Sequence, residues 1–239
     1  MSRRRGQPLR RFSFGGLMKR FVFPLVLGVV GVAILLSLAL WQLRRLEWKE
    51  TMLAGITAQI HGPVQPLPPK GADTRPLKYT PVELVGGTTG DDLLVLSGQK
   101  GVGAGYRVIS AFETGEGRMI LLDRGFLPEA DKSQPRPPTA LIVQGNIHYP
   151  NESDRYTPEP DLDQNLWFAR DIPSMAARLK VEPILVVAAQ VEGDTQGISP
   201  QAISISGIPN DHKMYAITWF LLAIVWSGMT ALLLWRNRR

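Results

Sequence analysis

The chain has 239 residues, no cysteine, and 27 basic against 21 acidic side chains, a formal net charge of +6. Without thiols there are no disulfides, thiolate metal sites, cysteine nucleophiles or covalent haem attachment through C-x-x-C-H. The basic excess does not read as a nucleic-acid surface, because it flanks two apolar stretches.

Residues 1–20 carry seven basic side chains and no acid, and are expected to form a basic cytoplasmic tail. Residues 21–43 follow without a single charge. As a helix at about 1.5 Å per residue, this stretch spans a hydrocarbon core of about 30 Å. Ser37-Leu38-Ala39 offers a small-residue cleavage site, so a removable signal peptide is the competing reading. The apolar run is longer than a signal core of about 7 to 15 residues and continues as helix through Trp41-Gln42-Leu43, which favours a retained anchor. Helical spacing of Leu43, Leu46, Leu53 and Ile56 carries the helix on to about residue 60, where Gly62 and a proline-rich run end it.

From there the apolar period changes. Runs at Val82–Val85, Leu93–Leu96, Tyr106–Phe112, Met119–Leu122, Ala140–Ile147 and Ile184–Val191 predict strands, with hairpin turns at 98–105 and 114–117 and one short helix over Pro173–Lys180. A polar hinge at 209–214 then leads into the uncharged segment 215–235 and a basic end, 236–239. The fold class expected is an α+β membrane protein: two transmembrane helices at the termini flank an extracytoplasmic domain at 61–208, a mainly antiparallel sheet or partial barrel with one short helix. All 21 acidic residues and 17 of the basic ones lie at 44–214, so that loop is net −4, while the ends hold the other ten basic residues. The positive-inside bias therefore places both termini in the cytoplasm, despite Arg44, Arg45, Lys49 and Lys213 just outside the spans. A two-pass protein of a bacterial inner membrane, with a periplasmic central domain, is the expected localisation.

Few residues offer chemistry. Gly101-x-Gly103-x-Gly105 lacks the spacing of a nucleotide fingerprint and precedes a strand, so a hairpin is the plainer reading. Ser174 invites comparison with the Ser/Lys dyad of membrane signal peptidases, yet no motif supplies the lysine. Neither H-E-x-x-H nor G-x-S-x-G occurs, and His61, His148 and His212 are scattered. His212 differs by its place. With Asn210 or Asp211 as cap it lies in the first turn of the second apolar helix, where the positive end of the helix dipole opposes added positive charge. A neutral imidazole there suits a metal or haem iron. Tyr215 and Trp219 share its face, Trp41 is offered by the first helix, and Arg44, Arg45 and Lys49 lie at the same level. The bland alternative is an ordinary aromatic belt with snorkelling cations.

Four blocks, in order, resemble the Surf1 family of cytochrome oxidase assembly proteins: Ala39-Leu40-Trp41-Gln42-Leu43-Arg44-Arg45-Leu46-Glu47-Trp48-Lys49, Leu122-Asp123-Arg124-Gly125-Phe126-Leu127-Pro128, Asn165-Leu166-Trp167-Phe168-Ala169-Arg170-Asp171, and Pro209-Asn210-Asp211-His212 with Tyr215-Ala216-Ile217-Thr218-Trp219-Phe220. Ala39, Phe126 and Asp211 depart from the family's usual Gly, Trp and Asn. The resemblance implies a non-enzymatic assembly factor for haem-copper oxidase, binding haem a non-covalently and transiently and aiding its delivery to subunit I. Haem a synthase and membrane lipid are further partners, and nucleic acid is not. By the same resemblance His212 is the haem-iron ligand, with Trp41, Arg44, Tyr215 and Trp219 as packing or propionate contacts. The second and third blocks are expected to hold the domain together, with Gly125 at a strand-end turn and Arg170 or Asp171 capping or pairing. A protein-only scaffold for oxidase subunits, which never touches haem, is the alternative.

Overall fold

A computed structural model describes residues 21–238; the expected basic tail 1–20 and Arg239 lie outside the described residues. Two compact units divide the chain, one formed by its ends (residues up to Met52 and from Ile208) and one by Leu53–Gly207.

The first unit is a pair of long helices. Helix α1 runs Phe23–Ile60, its last residues belonging to the second unit, and the C-terminal helix runs His212–Arg236. Both are long and apolar enough to cross a membrane. Most of their large apolar side chains are exposed, Phe23 at 66% and Ile224 at 67% among them. These are therefore not the core helices of a soluble fold. What each helix buries is a narrow stripe in which glycine and alanine recur among larger side chains. On α1, positions 28, 31, 35, 39, 42, 46 and 49 are buried or half-buried, and on the C-terminal helix 212, 216, 219, 223 and 230 are. A Cβ on Gly28 would lie 2.2 Å from Thr230 Cγ2, and one on Gly31 would lie 2.3 Å from the Trp226 indole nitrogen. The helices thus approach through glycine and alanine, the packing that works where no hydrophobic force separates helix from solvent.

The second unit is built on six strands: β1 (Pro81–Gln99), β2 (Gly103–Thr114), β3 (Met119–Pro128), β4 (Ala140–His148), β5 (Leu166–Trp167) and β6 (Glu182–Gly193). Both predicted hairpin turns are present, joining β1 to β2 and β2 to β3. The runs at 82–85 and 93–96 are not separate strands. They belong to one 19-residue strand, bent by an irregularity between Thr88 and Asp92, where Gly90 takes φ +88°. The bend lets β1 pair with β4 over Pro81–Gly87 and with β2 over Gly86–Gln99. With β2–β3, β3–β6 and β6–β4 also paired, five strands close on themselves, and β5 adds to the side of β1. The expectation of a mainly antiparallel sheet holds for β1–β2, β1–β4, β2–β3 and β4–β6, but the sheet is mixed, because β3–β6 and β1–β5 are parallel. Parallel partners need long connections, and β6 reaches β3 only after the chain has passed through β4, β5 and the short helix α2 (Ile172–Leu179).

Strand β3 is buried at every position from Ile120 to Leu127. One face meets Val82, Phe112, Val143 and Val186 inside the ring; the other lies under α2 and Trp167, with Met175 fully buried. Two covered faces explain why β3 and β6 read as continuous apolar runs. Helix α2 offers Ile172, Met175, Ala176 and Leu179, the i, i+3, i+4, i+7 stripe, and ends at Lys180 in the left-handed region.

Candidate functional site

Asp211 precedes the C-terminal helix, α3 hereafter (His212–Arg236), and its carbonyl accepts the Tyr215 N–H at 3.1 Å. His212 is therefore the first helical residue: the helix begins inside the hinge expected at 209–214, with Asp211 in the cap place but making no side-chain cap. Lys49 Nζ donates to the Pro209 carbonyl and ties the hinge to α1. Two residues before the imidazole, the Asn210 side-chain oxygen is buried without a partner.

The residue facing His212 from α1 is Gln42, not Trp41. At 100° per residue a one-residue step turns a side chain to another face, and Gln42 occupies the buried stripe. Its amide oxygen lies 2.8 Å from His212 Nδ1, across 170 residues of sequence. Trp41 is 56% exposed and Tyr215 57%; Trp219 is half-buried. Arg44 is exposed and, among the described residues, makes no hydrogen bond or ion pair. Arg45 instead stacks on Trp48, 3.9 Å from the ring centroid. The structure thus joins His212 and Gln42 at the seam, with Trp219 half-buried on the same stripe of α3, and leaves Trp41, Arg44 and Tyr215 exposed. Sequence reasoning passed over Gln42, though a lone amide in an uncharged helix was a signal.

The imidazole is a fitting donor for a metal centre. A neutral ring has one N–H and one lone pair. With the Gln42 oxygen facing it, Nδ1 is placed to donate when it holds the ring proton, and the lone pair is then on Nε2. No hydrogen bond to Nε2 occurs among the described residues. No group of three or more His, Cys, Asp or Glu side chains gathers as a metal site among the described residues, so a single-imidazole ligand fits better than a multidentate cage.

A second polar cluster lies in the strand domain, where the second and third blocks meet. Asp123 on β3 is fully buried; its Oδ2 accepts from Arg107 Nη2 at 2.8 Å and Arg170 Nη1 at 2.9 Å, and its Oδ1 accepts from the Gly125 N–H at 3.1 Å. Arg170 also pairs with Glu152. Burial alone would raise the Glu152 carboxyl, but the Arg170 hydrogen bonds and charge outweigh it and hold it below the usual range. Arg170 therefore pairs, whereas Asp171 sits at the start of α2 and accepts from the Ser174 hydroxyl. Gly125 is not at a strand-end turn as expected. It sits inside β3, with φ +117°, opposite a register irregularity at Val108/Ile109.

His148 borders this cluster in a cavity of about 490 Å³ with Tyr79, Arg107 and Arg170. Its Nδ1 is buried without a partner. Burial, aided by the Arg170 and Lys78 charges, lowers the ring to about 4. The folded state thus binds the His148 proton less readily than the unfolded chain, whose imidazole titrates near 6.5. This contribution to stability is complete above pH about 6.5 and is lost as pH falls toward 4. Thermal unfolding of the full chain in detergent should show that loss, and His148→Gln should flatten the melting temperature between pH 6.5 and 4.5.

The SURF1 family model matches residues 29–224. The chain belongs to the SURF1 family. That match covers all four blocks, the Gln42–His212 pair and the Asp123 cluster. The SURF1-like protein of Rickettsia felis is 30% identical over 213 residues, covering 82% of this chain and 90% of that relative. The SURF1-like protein of Monosiga brevicollis is 26% identical over 211 residues, with 81% and 80% covered. Surfeit locus protein 1 of Xenopus tropicalis is 26% identical over 209 residues, with 77% and 67% covered. The relatives matched thus include bacterial and eukaryotic proteins.

Proposed function

We propose that this SURF1 protein is a non-enzymatic assembly factor of haem-copper oxidase that binds haem a through His212 and aids its delivery to subunit I. The observation that carries the reading is the His212 imidazole at the start of α3, with Nδ1 engaged by Gln42 and Nε2 left for a ligand. Bound there, haem a would supply a redox-active iron that the His212 imidazole would ligate. Arg44, unpaired among the described residues, would meet a propionate. Trp219 on the stripe of α3, and the exposed Trp41 and Tyr215, would contact the macrocycle.

The two apolar helices, with their exposed apolar faces and flanking basic ends, support a two-pass protein with cytoplasmic termini in a bacterial inner membrane. A single ligand near the membrane surface holds its cargo without trapping it, as delivery requires. Oxidase subunit I is the receiving partner in this reading, haem a synthase the supplying one, and lipid the solvent of the helices.

The test is the reduced-minus-oxidised spectrum and pyridine haemochrome assay of the protein purified in mild detergent from cells that make haem a. The parent should carry near-stoichiometric haem a, and His212→Ala should carry little while keeping its circular dichroism. A colourless, folded parent would favour the protein-only scaffold.

A further inference from the structure

We infer that Gln42 is a positioning residue: its amide sets the tautomer and plane of His212, so that Nε2 is the nitrogen presented to a ligand. Only the ligand's identity rests on the function proposed above; the hydrogen-bonding claim stands on its own geometry.

Gln42 is 9% exposed, on a helix that carries no charge from Phe21 to Leu43. A buried amide without a partner costs about 1–3 kcal/mol, so such a residue belongs in an apolar seam only with a specific partner. That partner is the His212 ring, 2.8 Å away. The neighbours on the seam, Ala39 and Ala216, are fully buried and have no polar side-chain atoms, so neither competes for the ring. Because the amide oxygen has no proton to give, Nδ1 must be the donor, and one hydrogen bond fixes both the tautomer and the ring plane. Ligating histidines generally depend on a partner of this kind at their other nitrogen.

An amide also differs from a carboxylate in the same place. It orients the ring without placing a negative charge behind it, so the imidazole remains a weaker donor than one backed by Asp or Glu. That suits a site that must release what it holds.

The experiment uses the full chain in detergent with ¹⁵N-labelled histidine. There are three histidines, so His212→Ala assigns the His212 signals. Long-range ¹H–¹⁵N correlation should show the Nδ1–H tautomer in the parent and in Gln42→Glu, which keeps an acceptor oxygen. Gln42→Leu should lose that tautomer, and its affinity in a haem a titration should fall about 10–100-fold. Gln42→Glu should retain haem a with a more negative midpoint potential, and it serves as the folded control if the leucine variant does not fold. An Nδ1–H tautomer that persists in folded Gln42→Leu, or an Nε2–H tautomer in the parent, overturns the inference whatever haem does. Absence of haem a from a folded parent overturns the haem reading instead, so the two failures are separable.

Discussion

Replacing Asp123 with alanine is expected to destabilise the strand domain by about 3–5 kcal/mol, the range for removing one partner from a buried ionic cluster. The carboxylate is fully buried and is the common acceptor of Arg107 and Arg170, whose side chains are 17% and 11% exposed. Without it two guanidinium groups face each other with Glu152 as the remaining counter-charge, and the Gly125 N–H loses its acceptor. A domain of this size has about 5–15 kcal/mol in total, so the loss is a large share. Denaturant unfolding of the full chain in detergent, followed by tryptophan fluorescence, should show the midpoint fall sharply; an unchanged midpoint would refute it. Asp123→Asn should lie between, since it keeps the acceptor oxygen but not the charge.

Gly125→Ala should be comparably damaging for a different reason. A Cβ there would sit 2.1 Å from the Ser199 carbonyl oxygen, which belongs to the backbone segment bridged to Phe126. Neither the strand nor that segment moves without breaking the paired hydrogen bonds between Phe126 and Ser199, both 2.8 Å. The φ of +117° adds about 1–3 kcal/mol of strain for any residue with a Cβ, and the overlap about 1–3 more. The same unfolding assay reads this variant. A near-wild-type midpoint would mean that β3 and the Ser199 segment separate more easily than their pairing implies.

Both variants act on the strand domain, whereas His212 and Gln42 variants act at the helix seam and should leave that domain folded. If Asp123→Ala reduces oxidase yield, it should do so in proportion to the folded protein lost. The second and third blocks are thus read as structural. Trp167 fits this view, packed 3% exposed against Met175 and Ile172 beneath α2.

Several elements were legible because their signals are local. The two apolar helices follow from length and absence of charge, the β1–β2 and β2–β3 hairpins from glycine turns, and α2 from its start and stop signals, the proline after it among them. The place of His212 in the first turn of α3 follows from the polar residues before it. Strand β5, two residues long, escaped because it is too short to show a period. The unity of β1 escaped because Gly86, Gly87 and Gly90 read as breaks, while in the fold they let one strand bend between two partners.

By itself, then, the sequence determined the long helices, α2 and the apolar runs of the longer strands, where the apolar spans lie, that no thiol chemistry is present, and that His212 lies in the first turn of the second long helix. Each depends on residues within a few positions of one another. Only the tertiary structure decided that β3 and β6 run parallel in a closed ring, that Arg107 and Arg170, 16 and 47 residues from Asp123, share its carboxylate, and that Gln42 rather than Trp41 meets His212. Strand pairing, buried charge compensation and the rotation of one helix against another are set by which distant surfaces bury each other, and no local period encodes that choice.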